Sequence, residues 1–108
     1  MFITESKKAG VKILELHGRI DATAENFEKE LKEMIQEENK ILVDCANLNY
    51  INSSGLRVFL AALKDVTRHD GKLVISSLLE NIKEIFKISG FLQLFETYDT
   101  KEEALKHF

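Results

Sequence analysis

Two stretches of the chain, Ile41-Leu42-Val43 and Leu73-Val74-Ile75, are apolar at every position, with no polar residue on alternate sites. A strand with one face in water alternates polar and apolar side chains. Unbroken apolar blocks therefore predict strands covered on both faces, as in the middle of a parallel sheet. Each block is followed by a segment of helical period. After the first, Leu56, Leu60 and Leu63 line one side with Phe59 beside them, Arg57, Lys64 and Arg68 point elsewhere, and Gly71 follows as a stop. After the second, Leu78, Ile82, Ile85 and Phe86 recur in the same way, with Ser77 and Glu80 spaced as a capping box and Gly90 as the stop. Parallel neighbours need crossover connections, and these helices supply them.

The flanking segments complete the pattern. Residues Phe2 to Ser6 and Val11 to Ile20 read as strands joined by a Lys8-Ala9-Gly10 turn, which predicts an antiparallel hairpin. Phe27, Leu31, Met34 and Ile35 recur at helical spacing, with Thr23 as the N-cap and Glu25 in the first turn. Phe95 to Tyr98 forms a short last strand, and Thr100 with Glu103 caps a terminal helix carrying Ala104, Leu105 and Phe108. The expected fold class is α/β: a mixed sheet with an N-terminal hairpin and about four helices packed on it, in the order ββαβαβαβα.

With 108 residues, 44% of them hydrophobic, and no proline, repeat or low-complexity tract to mark a linker, residues 1–108 are expected to form a single domain. The formal charge of -3 argues against binding a phosphate backbone, which needs clustered lysine and arginine. Cys45 is the only cysteine, so no internal disulfide forms, and no Cys/His spacing suggests a metal; a reducing cytoplasm is the expected compartment. No apolar run is long enough for a signal peptide or a membrane span. Glycine-rich phosphate loops are absent and His17, His69 and His107 are dispersed, so neither a cofactor nor a catalytic role is expected.

The segment between the first apolar block and its helix carries the chemistry. Asn52, Ser53, Ser54 and Gly55 stand where a helix begins, and such a start offers unpaired N–H groups and the positive end of a helix dipole. A phosphoryl group on Ser54 would be tolerated there. Read from residue chemistry alone, the same serines make a well-capped helix start and nothing more. Asp21 reads equally as a loop acid or as a partner contact. Asp44 reads as a hydrogen-bonding residue ending its strand. A phosphoacceptor aspartate of the receiver kind would need an acidic pair after the first strand, and Glu15 stands alone in its strand. Cys45 reads as a small buried side chain.

Taken in order, Gly18-Arg19-Ile20-Asp21, Ile41-Leu42-Val43-Asp44 with Asn47-Leu48, Ile51-Asn52-Ser53-Ser54-Gly55-Leu56 and Ile88-Ser89-Gly90-Phe91 resemble the anti-sigma factor antagonists, the single-domain form of the STAS fold. The resemblance implies that the second serine, Ser54, is phosphorylated by a partner anti-sigma factor with serine kinase activity. It also implies that the unphosphorylated form binds that partner and frees a sigma factor. Asp21, Asn47, Asn52, Ser53, Gly55, Leu56 and Arg57 would then shape the partner-binding surface. Asn52 stands where the family usually has an acid, and Arg57 where it often has a second glycine. The alternative job on the same fold is an unphosphorylated STAS subunit docking on a transporter ATPase or a sensory complex.

Overall fold

The computed structural model describes residues 1–36 and 38–108. Strands β1 (Phe2–Lys8) and β2 (Val11–Ile20) pair antiparallel from Phe2 opposite His17 to Lys8 opposite Val11. Lys8 thus closes the first strand instead of entering the turn. Ala9 and Gly10 alone form a two-residue loop, both with positive φ (53° and 80°), the combination whose twist suits a tight hairpin.

Strand β3 (Lys40–Ile51) lies parallel to β2 on one side and to β4 (Lys72–Ser76) on the other, and β5 (Glu96–Tyr98) is parallel to β4. The five strands stand in the order β1-β2-β3-β4-β5, so every crossover moves one place along the sheet. The connections are helices α1 (Phe27–Ile35), α2 (Ser53–Arg68) and α3 (Glu80–Ile88); α4 (Lys101–Leu105) follows the last strand.

Strand alternation divides the interior into two cores. Ile41, Val43 and Cys45 join Leu14, Leu16, Leu73 and Ile75 in a large core with α1, α2 and α3. Leu42 belongs with Val11, Ile13, Val74 and Ala104 in a smaller core under α4. The large core is organised by one phenylalanine from each of its three helices. Phe59 lies 5.9 Å from Phe27 and 5.7 Å from Phe86, and Phe95, just before β5, packs 5.8 Å from Phe86. These tilted and edge-on pairings are the arrangements that aromatic quadrupoles favour.

Several local expectations are corrected. Thr23 caps no helix: its N–H and hydroxyl are taken by Asp21, and α1 begins at Phe27, after Glu25. Ser77 has φ of 64° and donates its N–H to the Tyr98 carbonyl, while α3 starts at Glu80 with no side-chain cap. On α2 the buried residues are Gly55, Leu56, Phe59, Ala62 and Val66, and Leu60 and Leu63 lie half-exposed on its flank. Asp70, not Gly71, takes the left-handed conformation after α2; Gly71 is needed because a Cβ there would lie 2.7 Å from the Asn39 carbonyl oxygen. Thr100 does cap α4, accepting the Glu103 N–H at 3.1 Å.

Asp44 lies within β3, not at its end, and is buried on the α4 side of the sheet, where it accepts a hydrogen bond of 2.9 Å from the Ser76 hydroxyl. A receiver-type acceptor must meet solvent, and this carboxylate does not. Cys45 is fully buried, and burial followed by the neighbouring Asp44 carboxylate pushes its thiol well above the usual range, which leaves it unreactive. No described helix is long and apolar enough to cross a membrane.

Candidate functional site

The C-terminal ends of β2 and β3 are stitched together where α2 begins. Asn52 donates its N–H to the Ile20 carbonyl at 2.9 Å, which fixes the start of α2 against the end of β2. Its side chain adopts the N-cap role in extended backbone (φ -93°, ψ 176°), with Oδ1 accepting the Gly55 N–H at 2.8 Å. Its carbonyl accepts the Leu56 N–H at 3.1 Å. One asparagine therefore serves as cap and as strand-to-helix joint.

Gly55 is the residue that allows this junction to close. A Cβ there would lie 2.7 Å from Ile20 Cγ2 and 2.8 Å from Ile51 Cγ1, and both isoleucines are buried. The helix start rests directly on the strand ends, and Ser53 and Ser54 are left exposed on top of it.

Across from Ser54, Asp21 is held in a tight local frame. Its Oδ1 accepts the Thr23 hydroxyl at 2.6 Å and the Thr23 N–H at 2.9 Å, and Oδ2 meets Arg19 Nε at 3.3 Å. The Thr23 hydroxyl and then its N–H, with a smaller contribution from Arg19, hold this carboxyl below the ordinary aspartate range. Arg19 also lies over the Tyr50 ring, 4.5 Å from its centroid.

Asp21, Asn52, Ser54, Gly55 and Arg57 line one open hollow. The other named residues lie elsewhere. Ser53 is exposed beside the hollow without lining it, Asn47 is exposed further back on β3 opposite His17, and Leu56 is a core residue at 4% exposure, facing away from any partner. Two acids absent from the expected set complete the hollow: Glu25, from the turn before α1, and Glu28, from its first turn. Their only sequence signal was the position of α1 immediately after Asp21. The lining thus carries the carboxylates of Asp21, Glu25 and Glu28 against the single guanidinium of Arg57.

Comparisons with known proteins show the family and the fold. The STAS domain model matches residues 3–104. BtrV of Bordetella bronchiseptica, named for an anti-sigma factor antagonist, is 36% identical over 110 residues, which cover 100% of this chain and 95% of BtrV. Among solved structures, an anti-sigma factor antagonist domain protein from Planctomyces limnophilus superposes with a TM-score of 0.86 at 18% identity, covering 97% of this chain and 96% of the other. The Bacillus cell fate determinant SpoIIAA, solved in its phosphorylated form, gives a TM-score of 0.72 at 19% identity and 98% coverage of both chains. At these identities the two structures share the fold.

Proposed function

The chain belongs to the STAS domain family, and on that premise we propose that it is an anti-sigma factor antagonist whose hold on an anti-sigma factor kinase is switched off by phosphorylation of Ser54. The carrying observation is the exposed Ser54 in the first turn of α2, in a hollow whose described charged residues are Asp21, Glu25 and Glu28 with Arg57.

The N–H groups of Ser53 and Ser54 lie in the first turn, where no preceding helical carbonyl exists to receive them. A phosphate on Ser54 meets these donors and the positive end of the helix dipole, so the fold survives the modification. Its effect falls on the interface. About -1.5 to -2 units of charge join Asp21, Glu25 and Glu28 at a surface that a partner must cover. Burying that dianion without a matching cation costs about 3 kcal/mol, a loss of roughly a hundredfold in affinity.

Intact-mass measurement after incubation with the cognate kinase and ATP tests the acceptor: one phosphate is expected on the wild type and none on Ser54→Ala. Binding of that kinase to Ser54→Asp should weaken strongly while stability stays within about 0.5 kcal/mol of wild type. Equal affinity of the two forms would sink the switch. Tight binding with no phosphate transferred would favour the second reading, an unphosphorylated docking subunit. The neutral Asn52 cap beside the acceptor is the observation that supports that reading.

A further inference from the structure

The hollow at Ser54 continues along the molecule. It shares Glu28, Arg57, Val58 and Ala61 with a groove of about 380 Å³ between α1 and α2 that extends to Arg68. The floor of this groove is apolar, with Leu31, Val58 and Ala61 contributing, and alanine lets another backbone approach closely. Its walls are basic. Lys32 rises from α1, and Arg57, Lys64 and Arg68 from α2.

The α2 cations stand at i, i+7 and i+11, which sets them in one row along the exposed side of the helix. Of the two acids that line the groove among the described residues, Asp65 is already engaged by Arg68 at 3.2 Å, leaving Glu28 near the Ser54 end. Among the described residues, neither Arg57 nor Lys64 has a carboxylate within 4.0 Å. A net basic, apolar-floored groove on a chain of charge -3, continuous with an acidic hollow, requires its own account.

We propose that this groove docks an acidic amphipathic helix of the anti-sigma factor partner, with apolar side chains on the Leu31-Val58-Ala61 floor and carboxylates at Lys32 and Lys64. The proposal rests on the partner assigned above and adds the chemistry of its contacting segment. Charge complementarity and continuity with the Ser54 surface select this occupant. Lys64 is ten residues beyond Ser54, about 15 Å along the helix axis, which exceeds the screening length of about 8 Å at physiological salt. The contact at Lys64 is therefore insensitive to the phosphate: Ser54 sets whether the complex holds, and the far part of the groove sets which partner is chosen.

The test measures affinity of the cognate anti-sigma kinase for full-length Lys32→Glu/Lys64→Glu, in both the Ser54 and Ser54→Asp backgrounds, across a salt series. The control is Lys8→Glu/Lys106→Glu, which makes the same charge change at exposed sites outside the groove. Reversal in the groove should weaken binding about tenfold in both backgrounds and flatten the salt dependence. The control should change affinity by less than about twofold. Equal affinities for the two double variants would overturn the groove while leaving the Ser54 reading intact. Failure of the wild type to bind the kinase would overturn both.

A second readout uses Lys64→Cys, whose thiol alone is labelled because Cys45 is fully buried. A benzophenone placed there should crosslink to a partner peptide rich in Asp and Glu. Crosslinking to a neutral or basic peptide would overturn the proposal.

Discussion

Replacing Gly55 by alanine isolates the packing on which the site depends. The added methyl would stand 2.7 Å from Ile20 Cγ2 and 2.8 Å and 3.2 Å from two atoms of Ile51. Ordinary carbon contacts begin at about 3.5 Å, so the methyl is roughly 0.8 Å too close at its tightest point. Neither isoleucine can swing away, since Ile20 is 2% exposed and Ile51 1%. Overpacking of this kind costs about 1–3 kcal/mol. Against it stands the helix-propensity gain of alanine over glycine, at most about 1 kcal/mol and smaller in a first turn. The net expectation is a loss of about 1–2 kcal/mol. Urea unfolding should show a lower midpoint at unchanged slope, and the melting temperature should fall by about 4–8 °C per kcal/mol. A variant as stable as wild type, or more so, would refute the argument that contact with the strand ends is what excludes a side chain at residue 55.

Two further outcomes follow from hydrogen-bond geometry. Asp21 should titrate below the ordinary value of 3.8, and Thr23→Val should bring its midpoint up towards that value in an NMR titration. Because the folded-state value is depressed, the stabilisation from this carboxylate is present above the unfolded-state value and lost as pH falls through the folded one. Thr23→Val should therefore leave stability less dependent on pH below about 4, and an unmoved Asp21 midpoint would discredit the assigned hydrogen bonds. Ser76→Ala removes the donor to the buried Asp44 carboxylate and should cost about 1–3 kcal/mol in urea unfolding, whereas Asp44→Asn, which keeps an acceptor for the Ser76 hydroxyl, should cost less. Equal stability of Ser76→Ala and wild type would show that the pair contributes nothing.

The parts of the fold legible in the sequence are those governed by short-range rules. The hairpin was legible from the turn around Ala9-Gly10, with only Lys8 misassigned to it, and the all-apolar blocks at residues 41–43 and 73–75 read as the strands covered on both sides that they are. Where local rules offered two solutions, tertiary placement chose. Helix α2 carries apolar residues around much of its surface, so either the Leu60-Leu63 side or the Phe59-Ala62-Val66 side could have faced inward; the phenylalanine cluster with α1 and α3 selects the second. The misplaced caps have the same origin. Thr23 is a good capping residue, but Asp21 two places earlier holds it in a local turn and α1 begins only at Phe27, too far along for the Thr23 oxygen to cap. At the site, Asn52, Ser54 and Asp21 were visible because each sits at an element boundary with distinctive chemistry. Glu25 and Glu28 join the hollow only because α1 lies beside α2, a fact of packing that no local pattern encodes.

This distribution bears on how a switch at Ser54 could work. A modification that acts by moving structure needs an element with two arrangements of similar energy. The start of α2 does not look like one: Asn52 bonds it to the β2 end and caps it, and Gly55 seats it against Ile20 and Ile51 without room for a methyl group. The neighbouring Asp21 turn is likewise closed by its own hydrogen bonds to Thr23. A phosphate on so fixed a platform changes the charge a partner meets while leaving the platform's shape alone. The expected discrimination then comes from desolvation and repulsion at the partner's surface, with Arg57 as the one lining cation placed to temper it, three residues along the helix from the acceptor. In that arrangement rigidity is what makes the signal legible, because the backbone platform does not rearrange, and the electrostatic cost that Arg57 and the helix start do not offset falls on the complex.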